Sequence, residues 1–107
     1  MNVYPREIED ALAMHPAVAD VAVIGLPDAE MGQEIRAIVQ PAPGVAGSPE
    51  LERELIEHCT AQLARFKRPR RVDFVAELPR VPSGKILRRL VRDTYLQGAG
   101  ETSAAGG

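Results

Sequence analysis

Lys85 is the residue of this sequence that is best placed to do chemistry, because it follows Ser83 and Gly84 inside the proline-containing segment LPRVPSGKILRR, residues 78–89. Proline and glycine favour an exposed, irregular backbone here, from which the ammonium group would project beyond the domain. An ammonium group is a compact positive charge with three hydrogen-bond donors, and it suits phosphate or a developing anion. An exposed loop lysine is nevertheless more often inert than catalytic, so the loop alone establishes no function.

The Gly-Lys pair does not form a nucleotide-binding P-loop. That motif needs a glycine at position 79 and a serine or threonine at position 86, where this sequence has Pro79 and Ile86. We expect instead that Ser83 caps the following helix and that Gly84 lets the backbone turn tightly. Both residues would then support the loop that carries Lys85.

Other reactive side chains give weaker signals. His15 and His58 belong to no HxxxH or HExxH pattern, so we expect no metal site. Cys59 has no partner for a disulfide or a CxxC motif and lies in a predicted helix, where a small buried side chain is the simplest interpretation. Ser83 has no histidine at motif distance, which favours a cap over a nucleophile.

Length and composition limit the architecture. The 107 residues, 45% of them apolar, suffice for one modest core. No apolar run approaches the length that crosses a bilayer, so we expect a cytoplasmic protein that does not enter membranes. Residues 1–60 hold three basic and eleven acidic side chains, whereas residues 61–107 hold ten basic and four acidic ones. The second part could therefore attract an anionic partner, although a solvated charged face explains it as simply.

Periodicity predicts a small α+β domain. The expected order is helix, strand, strand, helix, strand, helix, which gives a small three-stranded sheet with helices packed against it. The predicted strands lie over 18–26, 33–40 and 70–78, and the predicted helices follow Pro5, Pro49 and Ile86. The last helix should end near Tyr95. Residues 97–107 are nearly all glycine, alanine, serine and threonine, so we expect a disordered tail after a domain over 1–96.

Four ordered segments resemble one family. Residues 83–89 resemble the closing motif of the adenylate-forming (AMP-binding) superfamily, which includes acyl-coenzyme A synthetases, luciferases and peptide-synthetase adenylation domains. Residues 2–9 resemble the start of that family's small carboxy-terminal domain, residues 21–34 its first strand and turn, and residues 66–69 the segment that precedes the lysine. Each segment alone is a weak signal, but four in the right order at similar spacing identify a carboxy-terminal domain most like that of acyl-coenzyme A synthetases.

The resemblance implies a role for Lys85. In this family, the matching lysine assists the attack of a carboxylate on the α-phosphate of ATP, with release of pyrophosphate. The resemblance also implies that the small domain rotates afterwards, so that coenzyme A can accept the acyl group from AMP. Phe66 and Arg68 match positions that contact the adenine and the phosphates of coenzyme A in some members, and Lys67 could assist as a further cation that faces phosphate. A core position for Phe66 and a solvated charge for Arg68 are the alternatives. Phe66 and Arg68 favour coenzyme A over a carrier protein as the acceptor.

The expected partners follow from the same resemblance. They are a large amino-terminal domain that holds ATP and Mg²⁺, the acyl-adenylate, and coenzyme A. We expect the chain to be inactive without that domain, whether it works as part of a longer enzyme or docks in trans as a regulatory domain. Lys85 also resembles sites at which a lysine acetyltransferase switches such enzymes off. A small nucleic-acid-binding module with basic segments at 65–71 and 85–92 is the alternative, which the acidic balance and 4% aromatic residues disfavour.

Overall fold

The computed structural model describes residues 5–30, 32–63 and 68–105. Helices and strands alternate within these residues in the predicted order, which confirms the α+β class. The elements are α1 Pro5–Ala13, β1 Val18–Asp28, β2 Gly32–Pro41, α2 Pro49–Gln62, β3 Arg71–Phe74 and α3 Arg88–Ala105. No helix among the described residues is both long and apolar enough to cross a membrane.

The strands form one mixed sheet in the order β1-β2-β3. β1 and β2 form an antiparallel pair in which Val23 lies opposite Ala37, and β3 runs parallel to β2 with Val72 opposite Ala37. β2 is therefore the central strand, and its Ala37 is completely buried. A parallel third strand requires a crossover, which α2 provides between β2 and β3.

Both faces of the sheet are covered, which explains why residues 21–24 read as an unbroken apolar run. Val21 and Val23 point to the face that α1 and α2 cover, whereas Ala22 and Ile24 point to the face that α3 covers. The first core contains Ile8, Leu12, Val18, Val21, Val23, Ala37, Val39, Leu55, Cys59 and Val72. The second core contains Ala22, Ile24, Ile38, Leu78 and Val91.

The start of α2 is the one that the sequence predicts. The Ser48 hydroxyl accepts a hydrogen bond of 3.0 Å from the Leu51 backbone N–H, and Pro49 occupies the first helical turn. A serine cap satisfies a backbone donor that has no partner within the helix, and proline lacks a donor that would need one. This cap defines where α2, the crossover helix between β2 and β3, begins.

The end of β3 and the start of α3 differ from the prediction in a way that shapes the site. β3 ends at Phe74 rather than at Leu78, because Leu78 turns into the second core and is only 2% exposed. α3 begins at Arg88 rather than at Ile86, because Ile86 pairs with Arg80 in an isolated antiparallel bridge. Both differences place residues 78–86 in a separate hairpin on the α3 side of the sheet.

The backbone of α3 continues to Ala105, well past the predicted end near Tyr95. Its attachment to the sheet is made by residues before that point. Val91 is 2% exposed, and the Tyr95 hydroxyl donates a hydrogen bond of 2.7 Å to Asp73. Burial and this hydrogen bond raise the pKa of Tyr95, so the phenol stays a donor. The division into a domain over 1–96 and a disordered tail over 97–107 stays a prediction.

Candidate functional site

The segment that carries Lys85 is a tight hairpin. The Gly84 N–H donates to the Val81 carbonyl at 2.7 Å, and the Val81 N–H donates to the Lys85 carbonyl at 2.9 Å. The bridge between Arg80 and Ile86 closes the hairpin below these two hydrogen bonds. This is the pattern of a three-residue hairpin loop, in which a turn is followed by a residue with left-handed backbone geometry.

Gly84 is the residue that makes this loop possible. Its φ is +89°, a value that residues with a side chain rarely adopt, and an added Cβ would have no atom within 4 Å. The cost of replacing it would therefore come from the backbone and not from a clash. The tight turn predicted at Gly84 is confirmed. Pro82 precedes it with a fixed φ that suits the second position of a turn.

Ser83 does not cap the following helix, which corrects the prediction made from the sequence. α3 begins at Arg88, and the bridge at Ile86 lies between Ser83 and the helix. Ser83 is instead an exposed residue of the turn itself. The physical reason is that Ile86 packs against the second core and holds the chain in an extended form before the helix can start.

Lys85 lies at the exposed end of this hairpin. Among the residues that the structure describes, its ammonium group makes no ion pair. The neighbouring arginines do make ion pairs, since Arg80 contacts Asp20 and Arg88 contacts Glu9. Lys85 is therefore a positive charge on a rigid base with its donors available to a partner.

An open cleft lies beside the lysine, between the hairpin, α1 and β1. Its walls carry charges of both signs, and most of them form pairs across the cleft. The charged lining residues are Arg6, Glu9, Asp10, Asp20, Arg80, Lys85 and Arg88. A cleft so open cannot enclose a small molecule by itself, so the geometry suits contact with a larger partner that completes the site.

Two ion pairs hold the hairpin and the start of α3 against β1. Glu9 receives hydrogen bonds of 2.7 Å and 2.6 Å from the Arg88 guanidinium, and it also accepts the Val23 backbone N–H at 2.8 Å. The hydrogen bond with Glu9 raises the pKa of Arg88. Asp20 likewise accepts the Val21 N–H at 3.0 Å and pairs with Arg80. Neither pair is predictable from local sequence, since the partners lie 60 and 79 residues apart and only the charge imbalance points to them.

The residues expected to contact coenzyme A lie elsewhere. Phe66 and Lys67 are outside the described residues. Arg68 is exposed and lines a different cleft, together with Arg53 and Arg71 of the α2 side. The structure thus does not bring Arg68 into the cleft of Lys85, and the two lie on separate surfaces of the domain.

The two histidines and the cysteine contact other parts of the domain or lie in its core. His15 contacts Glu54 at 2.6 Å, and the His58 ring contacts the Ala11 carbonyl at 2.8 Å. Cys59 is fully buried, and burial raises the pKa of its thiol to about 11, which keeps it protonated and unreactive. The described residues contain no group of three or more histidine, cysteine, aspartate or glutamate side chains that could hold a metal ion.

Comparison with known proteins agrees with the fold and with the segments singled out above. The family described as AMP-binding enzyme C-terminal domain matches residues 7–85. The fatty acid–[acyl-carrier-protein] ligase ScoC of Streptomyces coeruleorubidus is 49% identical over 94 residues, which cover 88% of this chain and 18% of that protein. The long-chain-fatty-acid–CoA ligase FadD13 of Mycobacterium tuberculosis is 45% identical over 95 residues, with the same coverage of 88% and 18%.

A solved structure gives the same result. The acyl-CoA synthetase of Brucella canis superposes with a TM-score of 0.84 at 46% sequence identity, over 89% of this chain and 18% of that one. The chain therefore spans less than a fifth of the length of the relatives that it matches. Sequence identities of 46% and 49% show that this chain shares its family, and not only its fold, with these proteins.

The hairpin geometry predicts a specific cost for replacing Gly84. We expect Gly84→Ala to lower the free energy of unfolding by about 1 kcal/mol, because alanine is strained at a positive φ. Gly44→Ala is the matched control, since Gly44 has a φ of +82° and also has open space around it. Urea denaturation should give similar losses for the two variants. A neutral Gly84→Ala beside a destabilised Gly44→Ala would contradict the hairpin described here.

Proposed function

The chain belongs to the AMP-binding enzyme C-terminal domain family, and we propose that it is the mobile carboxy-terminal domain of an ATP-dependent acyl-coenzyme A synthetase. Its partner would be a large amino-terminal domain that binds ATP and the carboxylic acid. That proposal agrees with the coverage of less than a fifth of the matched relatives. The domain by itself would lack the walls of both substrate pockets.

The ammonium group of Lys85 carries this proposal, because it is exposed and has no ion-pair partner among the described residues. In adenylation, a carboxylate oxygen forms a bond to the α-phosphorus of ATP, the bond from that phosphorus to the bridging oxygen breaks, and pyrophosphate leaves. Negative charge accumulates on the oxygens around phosphorus in the transition state. A positioned cation there stabilises the transition state more than it stabilises the separated reactants.

The hairpin suits this task for two reasons. Its backbone hydrogen bonds fix the Cα of Lys85, whereas the four-carbon side chain can still adjust to the reacting atoms. The described surroundings also contain no carboxylate that pairs with the amine, so the partner need not displace one. Ser83 and Gly84 would support the loop through its turn geometry alone.

In the second half-reaction, the thiol sulfur of coenzyme A would lose its proton and form a bond to the acyl carbon, the bond from that carbon to the phosphate oxygen would break, and AMP would leave. We propose that Phe66, Lys67 and Arg68 contribute to the surface that receives coenzyme A, through an aromatic face and two cations for phosphate. Arg68 lines a cleft separate from that of Lys85, which supports a domain that presents one surface for each half-reaction. Rotation between the two would then carry Lys85 away from the nucleotide.

Mg²⁺ would accompany ATP on the amino-terminal domain. The described residues of this chain provide no set of carboxylates or imidazoles that fits a metal ion, so none of them is assigned as a ligand. When bound, Mg²⁺ neutralises the phosphate oxygens and favours the departure of pyrophosphate. Lys85 would act at a different place, beside the attacking carboxylate and the α-phosphate.

The alternative of a nucleic-acid-binding module loses support from the ion pairs. Four arginines of the basic part, Arg70, Arg71, Arg80 and Arg88, contact carboxylates of the acidic part. These are four of the ten basic residues in 61–107, and their pairing lowers the positive potential that phosphate tracking would need. The charge imbalance of the sequence is thus partly neutralised inside the domain.

The first experiment removes the ammonium group. In a full-length synthetase that carries this chain as its carboxy-terminal domain, Lys85→Ala should lower acid-dependent ATP–pyrophosphate exchange about a hundredfold or more. Thioester formation from a supplied acyl-adenylate should stay close to that of the parent. Arg53→Ala, which removes an exposed cation from α2, is the control and should keep full exchange activity. Unchanged exchange in Lys85→Ala would refute the role of the lysine.

The second experiment neutralises the same amine without truncating the side chain. We propose that Lys85 is a substrate of a lysine acetyltransferase, because its exposed amine has no ion-pair partner among the described residues. Incubation of the full-length enzyme with acetyl-coenzyme A and a lysine acetyltransferase should add one acetyl group at Lys85, as measured by intact mass and peptide mapping. Adenylation should fall in proportion, because acetylation removes the charge. Complete acetylation of Lys85 with unchanged pyrophosphate exchange would contradict the charge-based account.

A further inference from the structure

Arg80 lies in the first strand of the hairpin, and its side chain contacts the loop that carries Lys85. One terminal nitrogen of its guanidinium donates a hydrogen bond of 3.0 Å to the Gly84 carbonyl, and the other pairs with the Asp20 carboxylate. Asp20 is in turn fixed to β1, because its other oxygen accepts the Val21 N–H at 3.0 Å. A continuous chain of polar contacts therefore runs from the backbone of β1 to the backbone of the loop.

The contacted carbonyl has a direct geometric relation to the lysine. The Gly84 carbonyl belongs to the peptide group whose nitrogen is that of Lys85, and a peptide group is planar. A restraint on the direction of this carbonyl therefore restrains the peptide plane in which the Lys85 Cα lies. A guanidinium is also a rigid planar fork, so holding one arm on Asp20 orients the arm that reaches the loop.

We propose that Arg80, held by Asp20, is a positioning residue that orients Lys85 for adenylation. This inference rests on the proposed function of Lys85 and extends it to two residues that do not touch the substrates. Gly84 gives the loop its shape, whereas Arg80 sets how the loop is directed relative to β1. A displacement of about 1 Å at a reacting group can cost as much as a hundredfold in rate, so a partial loss of orientation has a measurable effect.

The exposure of the pair separates this role from a structural one. The side chains of Arg80 and Asp20 are 36% and 35% exposed, and surface ion pairs of this kind contribute little to folding stability. Removing Arg80 should therefore change catalysis much more than unfolding. The fold offers a matched control, in which Arg71 pairs with Glu52 at 3.2 Å while Glu52 accepts the Val72 N–H at 2.9 Å.

The test uses Arg80→Gln, Asp20→Asn, Arg71→Gln and Lys85→Ala in the full-length synthetase. Arg71→Gln is the control for adenylation only, because Arg71 lines the cleft of Arg68 that is assigned to coenzyme A. Pyrophosphate exchange gives kcat and KM for adenylation, and a supplied acyl-adenylate with coenzyme A gives the second half-reaction. We expect Arg80→Gln to lower the kcat of adenylation about tenfold, with KM for ATP and the second half-reaction within about twofold of the parent. Asp20→Asn should have a smaller effect of the same kind, and Arg80→Lys should restore part of the rate.

A charge exchange separates pairing from positioning. In the double variant Asp20→Arg with Arg80→Asp, the ion pair can form again, but the new carboxylate cannot donate to the Gly84 carbonyl. We expect its adenylation to stay as slow as that of Arg80→Gln. Full recovery would overturn the inference, because pairing alone would then suffice.

Further outcomes overturn the inference in distinguishable ways. If Lys85→Ala is slow while Arg80→Gln equals Arg71→Gln in adenylation, the proposed function stands and the positioning role fails. If Arg80→Gln slows both half-reactions equally, the role of Arg80 is structural. If it raises the KM for ATP, Arg80 contacts the nucleotide directly. In either case the positioning role fails. If Lys85→Ala adenylates normally, the proposed function itself fails and the inference with it.

Discussion

Ion pairing between an acidic amino-terminal part and a basic carboxy-terminal part is the constraint on which the described site depends. Glu9, Asp20, Asp28 and Glu52 each receive an arginine from the later part of the chain. Three of these carboxylates, those of Glu9, Asp20 and Glu52, also accept a backbone N–H of a strand. Each of these carboxylates binds a strand backbone and a distant arginine at once, and therefore joins the sheet to that segment. Its negative charge strengthens both the hydrogen bond from the backbone N–H and the one from the guanidinium.

The same pairing distinguishes Lys85 from the cations around it. Arg80 and Arg88 stand on either side of the lysine in sequence, and both are bound to carboxylates that β1 holds in place. Their charges are neutralised and their side chains are oriented, whereas the amine of Lys85 has no such partner among the described residues. Among the described residues of the hairpin, Lys85 is therefore the cation whose charge no carboxylate of the domain offsets.

The fold was largely predictable because the two-sided burial of the sheet leaves a clear pattern in the sequence. The apolar run at 21–24 and the Ser48-Pro49 start of α2 identified β1 and α2 from local features. The predicted role of Ser83 as a helix cap was wrong, since local pattern does not reveal that Ile86 packs into the second core and delays α3. The contact between Arg80 and Asp20 was also out of reach, because neither its partners nor its geometry follow from spacing along the chain.

Exposure and rigidity together account for the proposed role of the domain in adenylation. A structure of the full-length enzyme bound to a non-hydrolysable acyl-adenylate mimic tests this most directly. The account predicts that the Lys85 Nζ lies within about 3.2 Å of an oxygen of the acyl-phosphate group, with Arg80 still on the Gly84 carbonyl. An Nζ that instead forms an ion pair with a carboxylate of the enzyme, while the domain is closed over the mimic, would contradict it.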